Sequence, residues 1–315
     1  MSFNENSQID TSQVTVEAPR SGGGGLGGGL GGLSGLGGRQ MGIGGTILTI
    51  IVLIVLSKFG GGLSNLGSSL DTSSITTDGQ GATVDIKERC KTGAQANTDV
   101  VCRVTETVNS LNDYWSKALA PAGVTYIQPG VHIFTGSTST ACGEASSATG
   151  PFYCPNDQKI YLDTAFYDEL TSRFGASGGP LAQEYVVAHE FGHHIQNLAG
   201  VFDKANRPGT GATSDSVRVE LMADCLAGMW ARGAATTVDT AGVTFLKPLT
   251  QQDVNDALSA ASAVGDDRIQ QAANGSVNPD KWTHGSSAQR QNWFSTGYNT
   301  GDLTACRASL DTTAL

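Results

Sequence analysis

The arrangement of apolar and polar positions divides the chain in two near Ala82. Before it, residues 1–20 are polar, show no period and hold almost no large apolar side chains. The stretch that follows, SGGGGLGGGLGGLSGLGGRQ, is a Gly-Leu tract of a composition too flexible to pack. It runs into GIGGTILTIIVLIVLSKFGG, where residues 43–56 carry no charge and the wider window 41–59 takes in only Lys58. A bilayer crossing needs about 17–25 apolar residues, so 41–59 is expected to be a short transmembrane helix with Lys58 reaching back to the interface; the other readings are the apolar core of a cleavable signal peptide and a buried core strand or helix. Residues 60–81 are rich in Gly, Ser, Thr and Asp and read as a flexible linker. The expected organisation is a disordered Gly-rich segment (1–40), a single membrane anchor (41–59), a linker (60–81) and one globular domain (82–315).

Beyond Ala82 the periodicity is regular. Val104, Val108, Leu111 and Trp115 recur at helical spacing in VTETVNSLNDYWSKALAPAG, which ends at Pro121. VTYIQPGVHIF reads as two short strands about a Pro-Gly turn, and GPFYCPNDQKIYLD as a hairpin. Helical patterns then cover residues 181–198, 217–232 and 251–264, the last opened by a capping box from Thr250 to Asp253. A small mixed sheet followed by helices predicts an α+β domain.

Composition narrows the partners. A net charge of −10 over 315 residues leaves no basic stripe to neutralise phosphates, which argues against nucleic acid. The six cysteines all lie beyond Ala82 with no C-x-x-C spacing, a distribution that suggests disulfides formed in an oxidising compartment. Local pairing favours Cys90 with Cys102 and Cys142 with Cys154, leaving Cys225 for Cys306; the other reading is six reduced thiols. Arg39 and Lys58 flank the apolar run almost symmetrically, so charge counting barely orients it. Oxidised cysteines would place the C-terminal domain of such a single-pass membrane protein outside the cytoplasm.

The chemistry is concentrated in VVAHEFGHHIQNLAG. Between Pro180 and Gly200 the helix should be continuous, so His189 and His193 lie one turn apart on one face and can reach one metal ion. Glu190 is then placed to activate a metal-bound water. His194 points about 100° away and reads as a packing residue. A zinc site needs a third protein ligand, and SVRVELMADCLAGMW offers Glu220, with Asp224 one turn on to accept the free ring N–H of a ligating histidine. Ala223, Ala227 and Gly228 would let that helix approach the first closely.

HEFGHHIQNLAG, RVELMADCLAGMW and WTHGSSAQRQNWF together resemble the bacterial neutral zinc metallopeptidases, and HExxH followed by ExxxD resembles the glutamate-zincins of the thermolysin-like clan. The likeness runs from the Gly-rich tract to the C-terminus. It implies a zincin-like fold, one Zn2+ per chain on His189, His193 and Glu220, Glu190 as base and Asp224 behind the metal. It also implies an oxyanion role for His284, set against a capping or core role, with Arg290 either sharing that role or anchoring a carboxylate. His132 reads as structural, and Tyr161 and Tyr185 fit packing better than catalysis. QKIYLD stands where zincins keep the edge strand that pairs with a peptide substrate; the other reading is an interior strand. The expected function is a membrane-anchored zinc endopeptidase. The alternatives are a catalytically silent zinc-binding envelope adaptor that holds peptides, and an envelope protein whose histidines are merely core.

Overall fold

The computed structural model describes residues 1–18, 75–77, 82–204 and 209–311. The predicted anchor and most of the predicted linker lie outside the described residues. Among the described residues, no helix is long and apolar enough to cross a membrane.

The fold is mixed α+β. Its strands are β1 (Val14–Glu17), β2 (Ile75–Thr77), β3 (Ala82–Val84), β4 (Gly130–Phe134), β5 (Ser137–Thr140), β6 (Gly143–Ser146), β7 (Phe152–Cys154) and β8 (Lys159–Asp163). Six form one sheet in the order β2-β3-β1-β4-β8-β7, and β5 and β6 pair as a separate hairpin. β1, β4 and β8 run parallel at its centre. β7 closes one edge, antiparallel to β8, so GPFYCPNDQKIYLD forms the expected hairpin. QKIYLD, however, is interior: β8 has β4 on one side and β7 on the other. Among the described residues the edge strands of the sheet are β2 and β7, and β7 is the one beside β8. Of VTYIQPGVHIF, only GVHIF forms a strand.

Two expected boundaries are corrected. Residues 1–18 are not a disordered tail but part of the domain. Val14 and Val16 point inward while Thr15 points out, a period of two too short to stand out in a polar stretch. Phe3 is 1% exposed. Its N–H donates to Asn97 Oδ1 (2.8 Å) and its carbonyl accepts from Asn97 Nδ2 (3.1 Å). The predicted linker, in turn, contains β2.

The helices are α1 (Gly93–Ala96), α2 (Val100–Ala118), α3 (Ala165–Ser172), α4 (Pro180–Leu198), α5 (Val201–Lys204), α6 (Asp215–Gly233), α7 (Gln251–Ala263), α8 (Asp266–Asn274), α9 (Ser287–Thr300) and α10 (Leu303–Asp311). The four apolar positions read in α2 are all at most 1% exposed. Thr250 and Asp253 form the capping box of α7. α4 starts at Pro180, where the missing N–H costs nothing. It packs against α2, α6 and α7, and α6 in turn against α9 and α10, so both helices that carry the candidate ligands are nearly covered. Cys90–Cys102, Cys142–Cys154 and Cys225–Cys306 are disulfide-bonded.

Two buried carboxyls lie away from the histidines. Burial raises Glu106 to about 8 despite a bond from the Ser7 hydroxyl. Burial likewise raises Glu184 to about 7 against nearby positive charge that includes Arg103. Each group binds its proton more tightly folded than unfolded. Its contribution to stability is therefore complete below the unfolded value of 4.5 and is lost as pH rises through 7–8. For metal-loaded protein, the melting temperature is expected to fall between pH 5.5 and 8.5, and Glu106→Gln is expected to flatten that slope. A slope unchanged in the variant would show that Glu106 is not buried as a neutral acid.

Candidate metal centre

On α4, His189 and His193 are one turn apart, and their rings stand 4.9 Å apart between centroids, nearly perpendicular. α6 crosses beside them and delivers Glu220. One ligand atom from each of His189, His193 and Glu220 lies within 4.8 Å of the others, and all three residues are buried. His189 Nε2 is 3.0 Å from Glu220 Oε2, and His193 Nε2 is 3.4 Å from Glu220 Oε1.

The other ring nitrogens are held from behind. His189 Nδ1–H donates to Asp224 Oδ1 (2.8 Å). His193 Nδ1–H donates to Gln196 Oε1 (2.9 Å), whose amide donates in turn to the Val219 carbonyl on α6 (2.6 Å). Both bonds fix the tautomer that frees Nε2 for a metal. Spacing pointed to Asp224 but missed Gln196. Its only signal was its place three residues after His193, and that does not say which way its amide turns.

Asp224 anchors a buried network. Arg290, from α9, binds it twice, Nε to Oδ2 at 2.8 Å and Nη2 to Oδ1 at 3.0 Å. Tyr185 donates its hydroxyl to Oδ1 and accepts from Arg290 Nη2 (3.1 Å). Burial alone would raise the Asp224 carboxyl, but Arg290 and then His189 hold it below its ordinary value. Of the two roles read for Arg290, the geometry is that of a carboxylate anchor. Burial works against Glu220 in the same way, yet charge on His193 and His284, with bonds from both ligating rings, holds it well below the carboxylate range.

A divalent cation fits this centre. Two Nε2 atoms and a carboxylate converge, a donor set suited to zinc. Without a cation, acidic neighbours overcome burial and draw protons onto the rings, raising His189 to about 9 and His193 above its ordinary value. A bound cation would displace those protons. Glu190 Oε2 and His284 Nε2 are buried close by with no hydrogen-bond partner among the described residues, and such atoms call for one.

His284 sits in the loop before α9 and lines a cleft that also reaches His189, Glu190 and Glu220. Asp266, at the start of α8, fixes that loop: its Oδ2 accepts from the backbone N–H groups of Thr283 (2.8 Å), His284 (2.7 Å) and Gly285 (3.0 Å). Asp266 was invisible to spacing because only the tertiary fold joins α8 to this loop. The remaining candidates are held elsewhere. His194 bonds to Tyr153 and to the Ile127 carbonyl. His132 bonds to Glu17 across the sheet. Tyr161 bonds to Asp157 and stacks on Phe152.

The approach of α6 to α4 is set by Gly192. A Cβ there would lie 2.9 Å from both Cα and O of Ala223. Gly228 faces away from α4 and meets the Phe294 carbonyl of α9 instead. Gly192→Ala should push away the helix that carries Glu220 and Asp224, and weaken metal affinity about 10-fold or more. Competition titration against a chelator measures this; unchanged affinity would mean that Gly192 does not set the ligand spacing.

The family model for "Putative neutral zinc metallopeptidase" matches residues 6–309. The chain belongs to this family. It is 53% identical over 219 residues to an uncharacterized protein of Mycobacterium tuberculosis, which covers 69% of this chain and 73% of the relative. It is 38% identical over 303 residues to the uncharacterized protein YpfJ of Escherichia coli, which covers 94% and 95% of the two chains. No solved structure matches it. The family match begins at residue 6, so it takes in β1 as well as the metal centre.

Proposed function

We propose that this member of the family is a zinc-dependent endopeptidase of zincin-like design, with zinc on His189, His193 and Glu220. The supporting observation is the Glu190 carboxylate, buried beside three convergent ligand atoms with one oxygen unpartnered. A zinc ion in the site supplies Lewis-acid polarisation of the scissile carbonyl. Glu190 takes the proton of the attacking water and passes it to the leaving amine. Burial raises the Glu190 carboxyl, which suits a group that must both accept and return a proton. His284, whose Nε2 is free, donates to the developing oxyanion. Asp224 and Gln196 hold the rings, and Arg290 holds Asp224.

The substrate is an extended peptide lying along the edge of β7, which follows Gly150 and Pro151 in the lining of the cleft. Phe166, Phe174, Val186, Val264 and Ile269 give the cleft an apolar lining, so cleavage is expected to favour a large apolar side chain beside the scissile bond. Three disulfides support an extracytoplasmic location for the domain.

The test is cleavage of a mixed peptide library by purified, zinc-loaded protein, read by mass spectrometry with and without a chelator. Cuts that vanish with chelator and return with zinc support the proposal. Stoichiometric zinc with no cut at any peptide would make the centre a binding site.

A further inference from the structure

Five of the six cysteines are at most 1% exposed; Cys142 alone is half-buried. It stands in the turn between β5 and β6, and its partner Cys154 ends the edge strand β7. The chain between the two runs through Thr149, Gly150 and Pro151, which line the cleft together with His189 and Glu190. This disulfide therefore closes the loop that forms both a rim of the cleft and the approach to β7.

The two ends of that loop are held differently. At its base, Asp163 at the end of β8 is 2% exposed and accepts from the Ser147 hydroxyl and from the Gly136 N–H (3.4 Å), while Ser147 N–H donates to the Gly136 carbonyl (2.8 Å). At the hairpin tip, the disulfide is joined by two exposed hydrogen bonds, Ala141 N–H to Asp157 Oδ2 (3.3 Å) and Asn156 Nδ2 to the Ala141 carbonyl (3.1 Å). Water competes for such bonds, so each adds little. Below the tip, Cys142 packs on a small apolar cluster of Phe134, Ala145, Phe152, Cys154 and Tyr161 that is separate from the main core. Tyr153, between Phe152 and Cys154, belongs to the main core, and its hydroxyl meets His194 Nδ1 (3.0 Å) and Asn197 Nδ2 (2.9 Å) of α4. β7 is thus held on one face by α4 and on the other by the hairpin and its disulfide.

We propose that the Cys142–Cys154 bond is a redox-sensitive strap, whose reduction by an external dithiol loosens β7 and the rim at 149–151 and weakens peptide binding while the metal centre stays assembled. The proposal rests on the reading of β7 as the strand that holds an extended peptide. Pairing of that kind draws its affinity from backbone bonds along a fixed edge, so a looser edge binds less well. In the reduction, a thiolate of the dithiol attacks Cys142 Sγ, the disulfide breaks, and Cys154 leaves as a thiolate that takes up a proton. The second thiol of the dithiol attacks the mixed disulfide and gives up its proton to the departing Cys142. The reductant becomes a disulfide, and two electrons pass to the protein. Access selects the bond: Cys90–Cys102 and Cys225–Cys306 are buried at both ends. The ligand helices are fixed elsewhere, α6 by Cys225–Cys306 and α4 by its packing on α2, α6 and α7.

The experiment treats the zinc-loaded full chain with graded dithiothreitol, traps free thiols by alkylation and maps them by mass spectrometry. Hydrogen exchange is followed on the same samples and on the Cys142→Ser/Cys154→Ser variant, which also serves for zinc content and kinetics without a chelating reductant. Cys142 and Cys154 are expected to be alkylated before the other four cysteines, with faster exchange at 147–154 and unchanged exchange along α4 and α6. The variant is expected to keep its zinc and to cleave with a KM raised about 10-fold, roughly what one backbone hydrogen bond is worth, at nearly unchanged kcat. Dithiothreitol too dilute to open the other two bonds should then have no further effect on it. Earlier reduction of another pair would overturn the inference, as would unchanged exchange at 147–154 once this pair is open, or an unchanged KM in the variant. Oxidised protein that holds zinc and cuts no peptide would instead remove the enzyme reading, and the order of alkylation and the exchange would still decide whether the bond is a strap.

Discussion

Glu190→Gln is expected to leave the zinc content unchanged and to lower peptide cleavage by about 10²–10⁴-fold, the range that general-base catalysis contributes. Glu220→Gln is expected to lose the metal itself. The two residues differ in what their oxygens meet. Glu220 faces both ring Nε2 atoms and is kept ionised by them, so the neutral amide removes a charged ligand from a three-ligand site. Glu190 is next to the first histidine in sequence but is not among the convergent ligand atoms, and Gln is close to it in shape. Zinc per chain by mass spectrometry of the metal, measured alongside turnover, separates the roles. Equal zinc in wild type and Glu220→Gln would remove Glu220 as a ligand. Full activity in Glu190→Gln would remove the proposed base and leave the centre without a mechanism.

That pair of residues was readable because local geometry governs it. On a helix, a spacing of four fixes a shared face whatever surrounds it, so HExxH and ExxxD each named residues that the fold then brings together. The side chains behind them were less readable. Asp224 could be inferred from its turn on α6, but Arg290 reaches it from α9 and Asp266 holds His284 from α8. Such partners depend on how helices cross, which no spacing encodes. The sheet was harder still. Interior and edge strands carry similar patterns when both are covered, and β7 and β8 are buried at most positions, so the pattern left QKIYLD between an edge and an interior reading, and the fold makes it interior with β7 at the edge. β1 was missed because its four residues stand alone and gain their partners from chain more than sixty positions away. Cysteine pairing, by contrast, was legible from spacing for the two short loops, and the third pair followed by exclusion.

That third pair has the largest expected effect on stability. Replacing Cys225 and Cys306 together by Ser is expected to destabilise the domain by about 4.5 kcal/mol, on the chain-entropy relation for a loop of 81 residues. Each twelve-residue loop contributes only about 3 kcal/mol on the same relation. The long loop also has a structural reason to matter. Cys225 directly follows Asp224 on α6, and Cys306 ties the last helix, α10, to that point. On the opposite chain of contacts, Gly297 of α9 lies so close to the Cys225 carbonyl that no Cβ fits between them. The bond thus clamps the C-terminal helices against the helix that carries Glu220 and Asp224. On the same relation, loss of all three bonds would cost about 10 kcal/mol, comparable to the whole stability of an ordinary domain, so full reduction is expected to lower the stability sharply. Denaturant unfolding of the double Ser variant should show the lower midpoint, with zinc bound more weakly under conditions where the variant is still folded. An unfolding free energy within about 1 kcal/mol of wild type would mean that the packing of α6 against α9 and α10 holds the centre without the bond.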